Sequence, residues 1–224
     1  MCDMTAPNPA PGPGMFEEGD AALASMSEFA EPKMLPTTQA AEGVPRLRWT
    51  LAQFERLIDL GIFTEKDRVE LIQGELVPMA SKGNRHELVR DELMNWWIEH
   101  KPATLRLSSE IGWRPPGADT YVEPDLLICP RSLKGVTVPP AEVLLAIEIA
   151  HSSLRYDTTL KARLYAELGV RDYWVIDAVT LTARVHRSPS SRGYADVAEV
   201  PPGETLVPLL APQLAVRLAD LDLG

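Results

Sequence analysis

The run VLLAIEIA (residues 143–150) constrains this chain more than any other segment. Its aliphatic residues carry one charge, Glu148, and the segment reads as an interior strand. An ionised carboxylate in a dry core costs several kcal/mol unless something cationic compensates it. The stretch YVEPDLLICP (121–130) repeats the anomaly, with Glu123 and Asp125 in an otherwise apolar run. VELIQGELVPM (69–79) does so again with Glu70. A chain built this way folds its strands around a cation, which is an ammonium, a guanidinium or a metal ion.

The remaining segments define the frame. TLAQFERLIDLG opens with Thr50 and Gln53 in capping-box spacing and carries Leu51, Phe54, Leu57 and Ile58 at helical period up to Gly61. VELIQGELVP reads as two short strands about Gln73-Gly74. NRHELVRDELMNWWIEH is helical, and strand-like segments follow around 104–111, 121–128 and 143–149. DTTLKARLYAELG reads as a helix with Asp157 as N-cap and Gly169 as stop. DYWVID, TARVHR and YADVAEV supply further strands. This order predicts one α/β (α+β) domain, a mixed central sheet flanked by helices.

Composition supports that reading. Of the 224 residues 45% are hydrophobic, enough for one filled core without disulfides, and Cys2 and Cys129 are badly placed to pair. No apolar run reaches the roughly 18 residues of a membrane helix, and the N-terminus has no signal-peptide pattern, so the expectation is a cytoplasmic protein with no membrane partner. The net charge is −10, of which residues 1–45 carry −6. That segment, rich in Pro, Gly and Ala, has no sustained apolar period and is expected to be a disordered acidic tail, with the folded domain spanning 46–224.

Glu70, Asp125 and Glu148 on neighbouring strands would form a hard, all-oxygen site suited to Mg²⁺ or Mn²⁺. There is no HExxH and no Cys/His cluster, so a zinc site has little support. Lys161 lies one turn past Asp157, with Leu164 and Tyr165 on the same face, and could reach the acids from the helix. Such a lysine positions a water or stabilises charge on a phosphoryl oxygen.

The order acid, PD, strand Glu, downstream Lys resembles the PD-(D/E)xK nuclease superfamily, with its restriction-endonuclease-like fold. More closely, residues 47–187 resemble the Uma family of putative restriction endonucleases, through VELIQGELVPM, His86, VEPDLLI, AIEIAHSS and DTTLKARLYAELGVRDYWVID. The resemblance implies metal-binding roles for Asp125 and Glu148, an auxiliary acid in Glu70, a catalytic Lys161, DNA as the partner and a possible homodimer. Two positions depart from the pattern. Ala150 stands where the superfamily's lysine would be, and His151-Ser152-Ser153 replaces a Ser-Pro-Ser run.

Plainer readings stand beside each assignment. Glu70 could be an exposed edge acid, Asp125 a turn residue, and Glu148–Lys161 a buried ion pair without metal. His86 reads as a helix-start polar residue and His151 as a loop residue. Trp96, Trp97, Tyr173 and Trp174 read as core. Arg85, Arg90, Arg106, Arg114 and Arg131 form no compact basic patch, although a folded groove could gather some of them. The functional reading is a metal-dependent endonuclease hydrolysing DNA. Its rivals are a catalytically inactive nuclease-like module binding nucleic acid or protein, and a glycosidase using Asp125 and Glu148, which leaves Lys161 without a role. Deleting residues 1–45 should leave the thermal midpoint unchanged, and a clear fall in a melting curve would place part of that segment on the domain.

Overall fold

The computed structural model describes residues 34–36, 45–64 and 66–224. The expected tail therefore lies outside the described residues except for β1 (Met34–Pro36) and Pro45, the first residue of its antiparallel partner β2 (Pro45–Leu47). Helix α1 (Leu51–Asp59) starts with the expected capping box: Gln53 N–H donates to Thr50 Oγ1 at 3.1 Å, and Thr50 N–H donates to Gln53 Oε1 at 2.9 Å.

The hairpin of β3 (Val69–Ile72) and β4 (Glu75–Pro78) turns at Gln73-Gly74, as expected. Their φ angles of 49° and 81° are both left-handed, the requirement of a two-residue turn that matches strand twist. The hairpin docks on the following segment through the chain's own backbone. Leu71 and Tyr121 exchange N–H···O bonds of 2.9 and 2.7 Å, and Gly74 N–H donates to Asp119 O at 2.8 Å. Glu70 is thereby held against the central sheet rather than on a free edge.

Six strands form that sheet: β5 (Leu105–Ser109), β6 (Leu126–Pro130), β7 (Leu145–Ala150), β8 (Asp172–Asp177), β9 (Ala183–Ser190) and β10 (Gly193–Val200). Their spatial order is β10-β9-β8-β7-β6-β5, with β7 and β8 parallel and the other neighbours antiparallel. The strand expected over 121–128 is divided. Tyr121 and Val122 make isolated bridges to Leu71 and Trp113, and β6 begins only at Leu126. Pro124 lacks a backbone donor, which accounts for the break.

Alternation along β7 assigns the two faces of the sheet. Leu145, Ile147 and Ile149 pack with Val89, Leu93 and Trp97 of α2 (Asn84–His100). Ala146 and Ala150 pack with Ala162, Leu164 and Tyr165 on the other side. Glu148 shares the parity of the alanines and so faces the second helix layer. A small ribbon, β11 (Thr205–Leu206) with β12 (Val216–Arg217), closes the α2 side, where Trp97 Nε1–H donates to Leu214 O at 2.9 Å.

The β7–β8 crossover is helix α3, residues 154–168. It is α-helical over Leu154–Tyr156, a π turn over Asp157–Lys161, and α-helical again over Ala162–Leu168. Ala162 N–H reaches back to Asp157 O, five residues earlier. The helix starts earlier than the sequence suggests: Ser153 is at the N-cap position and Asp157 is inside the helix. The stop is the expected one, Gly169, at φ 87°.

Gly74 tests the docking of the hairpin. A Cβ there would lie 2.9 Å from both Arg48 Cβ and Trp49 O, at a backbone angle that L residues avoid. Gly74→Ala should destabilise the fold by at least about 1 kcal/mol in urea unfolding.

Candidate active site

Where the start of β6 meets the end of β7, a cleft of ≈ 430 Å³ opens, lined by Glu70, Lys82, His86, Asp125, Glu148, Asp157 and Lys161 among others. The four sequence-predicted site residues all converge on it. Each is at most 5% exposed, as is Asp157.

Lys161 is the centre of one half. Its Nζ lies 3.0 Å from Glu148 Oε1 and 3.0 Å from Glu70 Oε1. Tyr165 OH, one turn further along α3, donates to the same Glu148 Oε1 at 3.0 Å. Glu70 Oε1 also accepts the backbone N–H of Glu123 at 3.0 Å. Glu148 Oε2 accepts no hydrogen bond from the described residues. The π turn places the buried Asp157 and Lys161 on the inner side of α3.

Asp125 is the centre of the other half. The β6–β7 register pairs Leu126 with Ile147, so one step further Asp125 stands across from Glu148. Asp125 Oδ2 accepts Ile149 N–H at 2.8 Å and bonds His86 Nε2 at 3.0 Å. Its Oδ1 accepts Lys82 Nζ at 2.8 Å. His86 is thus more than a helix-start polar residue, since the first turn of α2 lies against the beginning of β6. Lys82 carries no sequence signal. It lies in a loop, MASKG, whose path depends on how β4 connects to α2.

The electrostatics divide along the same line. Burial would raise Asp125, but the His86 hydrogen bond and the Lys82 charge hold it at about 2. Burial pushes Glu148 well above the usual carboxylate range; Lys161 opposes this, and Asp125, Asp157 and Glu70 add to it. Desolvation acts to lower Lys161, but Glu148 and Glu70 outweigh it and keep the ammonium protonated. Four buried acids, Glu70, Asp125, Glu148 and Asp157, thus face the two lysines Lys82 and Lys161. The cleft calls for more positive charge than these lysines supply.

Among the described residues, no three His, Cys, Asp or Glu groups form a ready-made metal cage. The donor chemistry nevertheless fits a hard cation. Mg²⁺ is usually held by one or two carboxylates with water and phosphate completing its shell. Glu148 Oε2 and Asp125 Oδ1 are the oxygens suited to that role, and the surplus of buried acid favours it. The scattered arginines contribute little here. Arg85 is bonded to Ala178 O, Arg90 to Asp91, Arg106 to Leu133 O, and Arg114 to Glu55. The cations lining the cleft are Arg68, Lys82 and Lys161.

Asp157 gives a pH test of the acid surplus. Burial raises it from 3.8 to about 6, despite Lys161 and a 2.6 Å hydrogen bond from Ser153 Oγ. An acid raised in the folded state binds its proton more tightly there, so it costs stability as pH rises through that interval. Asp157→Asn keeps an acceptor for Ser153 and should raise the thermal midpoint in chelator at about pH 8, the gain vanishing by about pH 4.

Comparison with known proteins agrees with this architecture. A crystal structure of a putative nuclease belonging to DUF820 from Anabaena variabilis superposes with a TM-score of 0.60 at 19% identity, covering 76% of this chain and 96% of that one. At that identity the likeness establishes the fold, a six-stranded mixed sheet with flanking helices. No curated protein matches. A family model, Uma2, described as putative restriction endonuclease, matches residues 51–220, a span containing the whole cleft described above. The chain belongs to the Uma2 family.

Proposed function

We propose that the protein is a divalent-metal-dependent endonuclease that hydrolyses DNA phosphodiester bonds, with Mg²⁺ or Mn²⁺ held by Asp125 and Glu148. The observation that carries this reading is the pairing of Asp125 with Glu148 across β6 and β7, in a cleft where buried acids outnumber lysines. When bound, the cation would lower the pKa of a water and neutralise the scissile phosphate. Lys161 and Tyr165 hold Glu148 by Oε1, which leaves Oε2 for the cleft. Glu70 shares Lys161 and fixes where its ammonium sits, so a positive charge is presented to the phosphate without reorganisation. His86 and Ile149 N–H lock the Asp125 carboxylate in orientation.

The second reading, a nuclease-like module that binds nucleic acid or protein without cutting, is favoured by one observation. The two lysines already neutralise part of the acid cluster, and the described residues form no three-group cage. Among the described residues no helix is long and apolar enough to cross a membrane.

Plasmid nicking in Mg²⁺ or Mn²⁺ separates the two. The wild type should nick and lose activity in chelator, and Glu148→Gln should lower the rate by two orders of magnitude or more, about 3–4 kcal/mol in the barrier. A pure, folded wild type that never nicks in either metal would select the binding module. Lys161→Met should also lose nicking. Because it leaves Glu148 and Glu70 uncompensated, it should lose about 3–5 kcal/mol of stability in chelator, part of it restored by Mg²⁺. Unfolding that added metal does not relieve would reduce Lys161 to a structural ion pair.

A further inference from the structure

Asp125 presents its two oxygens to very different partners. Oδ2 is fixed by the chain's framework, through Ile149 N–H at 2.8 Å and His86 Nε2 at 3.0 Å. Oδ1, the oxygen left for a ligand, is capped at 2.8 Å by Lys82 Nζ. Lys82 lies in the loop between β4 and α2, on a flexible four-carbon stem. Its ammonium also contacts Glu110, a half-exposed acid that is itself paired with Arg90 at 2.6 Å. Lys82 is therefore shared between a buried carboxylate in the cleft and a more exposed one outside its lining. Leaving Asp125 would not strand it without a counter-charge.

We propose that Lys82 is the stand-in cation of the site, capping Asp125 Oδ1 until a divalent cation displaces it onto Glu110. The proposal rests on the metal-binding reading above and assigns to Lys82 the control of metal entry. Glu148 Oε2 is open and Asp125 Oδ1 is covered, so displacing one ammonium converts the facing acids into a ligand pair. The displaced ammonium stays tethered by Glu110, available to a phosphate oxygen. Lys82 acts through Asp125 and is a positioning residue.

Calorimetric titration of the full chain with MnCl₂ and MgCl₂ tests this without reference to cleavage. Lys82→Met should bind at least tenfold more tightly than wild type, and the metal should raise its thermal midpoint by more. Lys82→Arg, which keeps the charge at Asp125, should show no such gain. Should Lys82→Met not fold in chelator, Lys82→Gln keeps a hydrogen-bond donor for Asp125 without the charge, and the same tightening is expected. Equal or weaker binding by a folded neutral variant, with wild type binding normally, would overturn the role of Lys82 and leave the metal reading intact. Binding by the neutral variant where wild type shows none would support it. No binding by either would overturn both.

Discussion

Lys161 Nζ lies at equal distance, 3.0 Å, from acids on two different substructures: Glu70 on the β3–β4 hairpin and Glu148 in the middle of the main sheet. Removing three such charges from water is expensive, and their mutual attraction repays the cost only when the geometry is fixed. The surroundings supply that fixity. Tyr165 adds a hydrogen bond to Glu148, the Glu123 backbone adds one to Glu70, and the hairpin is stitched to 119–122 by its own N–H groups. The ring of Tyr165 lies between Trp113 and Tyr173, with centroids 5.9 and 4.6 Å away. The hydroxyl facing Glu148 thus belongs to a side chain wedged in the core. Hairpin, sheet and crossover helix meet at one ammonium group.

Asp125 and its partners form a second, looser centre. Its position follows from strand pairing, but one of its oxygens is held by a side chain from a loop. The contrast between the two lysines is physical: Lys161 is anchored in a helix and enclosed by acids, whereas Lys82 is on a connection and shared with the more exposed Glu110.

Much of this was legible in the chain because local chemistry and tertiary structure agree. The Thr50/Gln53 box, the Gln73-Gly74 turn and the Gly169 stop each depend on a few adjacent residues, and each appears where its residues require. The acids stood out because a charge inside an apolar run demands a partner, and strand alternation sends Glu148 toward the helix carrying Lys161. Other parts depended on distant contacts. Lys82 has no periodic context to orient it, and His86 is indistinguishable in sequence from any polar residue opening a helix. Asp157 resembles an N-cap until Leu154–Tyr156 is found to be helical before it. The break before β6 was visible in Pro124, but the strand signal on either side concealed it.

The π turn in α3 has a consequence for how the chain can change length. A π turn holds one residue more than an α-helical ladder of the same rise would need. Thr158 and Thr159 ease the irregularity by bonding back to Leu154 O and Arg155 O, both at 2.6 Å. Because that extra residue lies between the start of the helix and Lys161, the helix arrives at the acids one step out of α phase. Deleting a single residue from 157–161 would restore a regular ladder and turn the remainder of the helix by about 100°, at 3.6 residues per turn. Either Lys161 would leave the acids, or Tyr165 and the apolar face behind it would leave the sheet. Side chains on the outer surface of this turn can vary freely, but its residue count cannot.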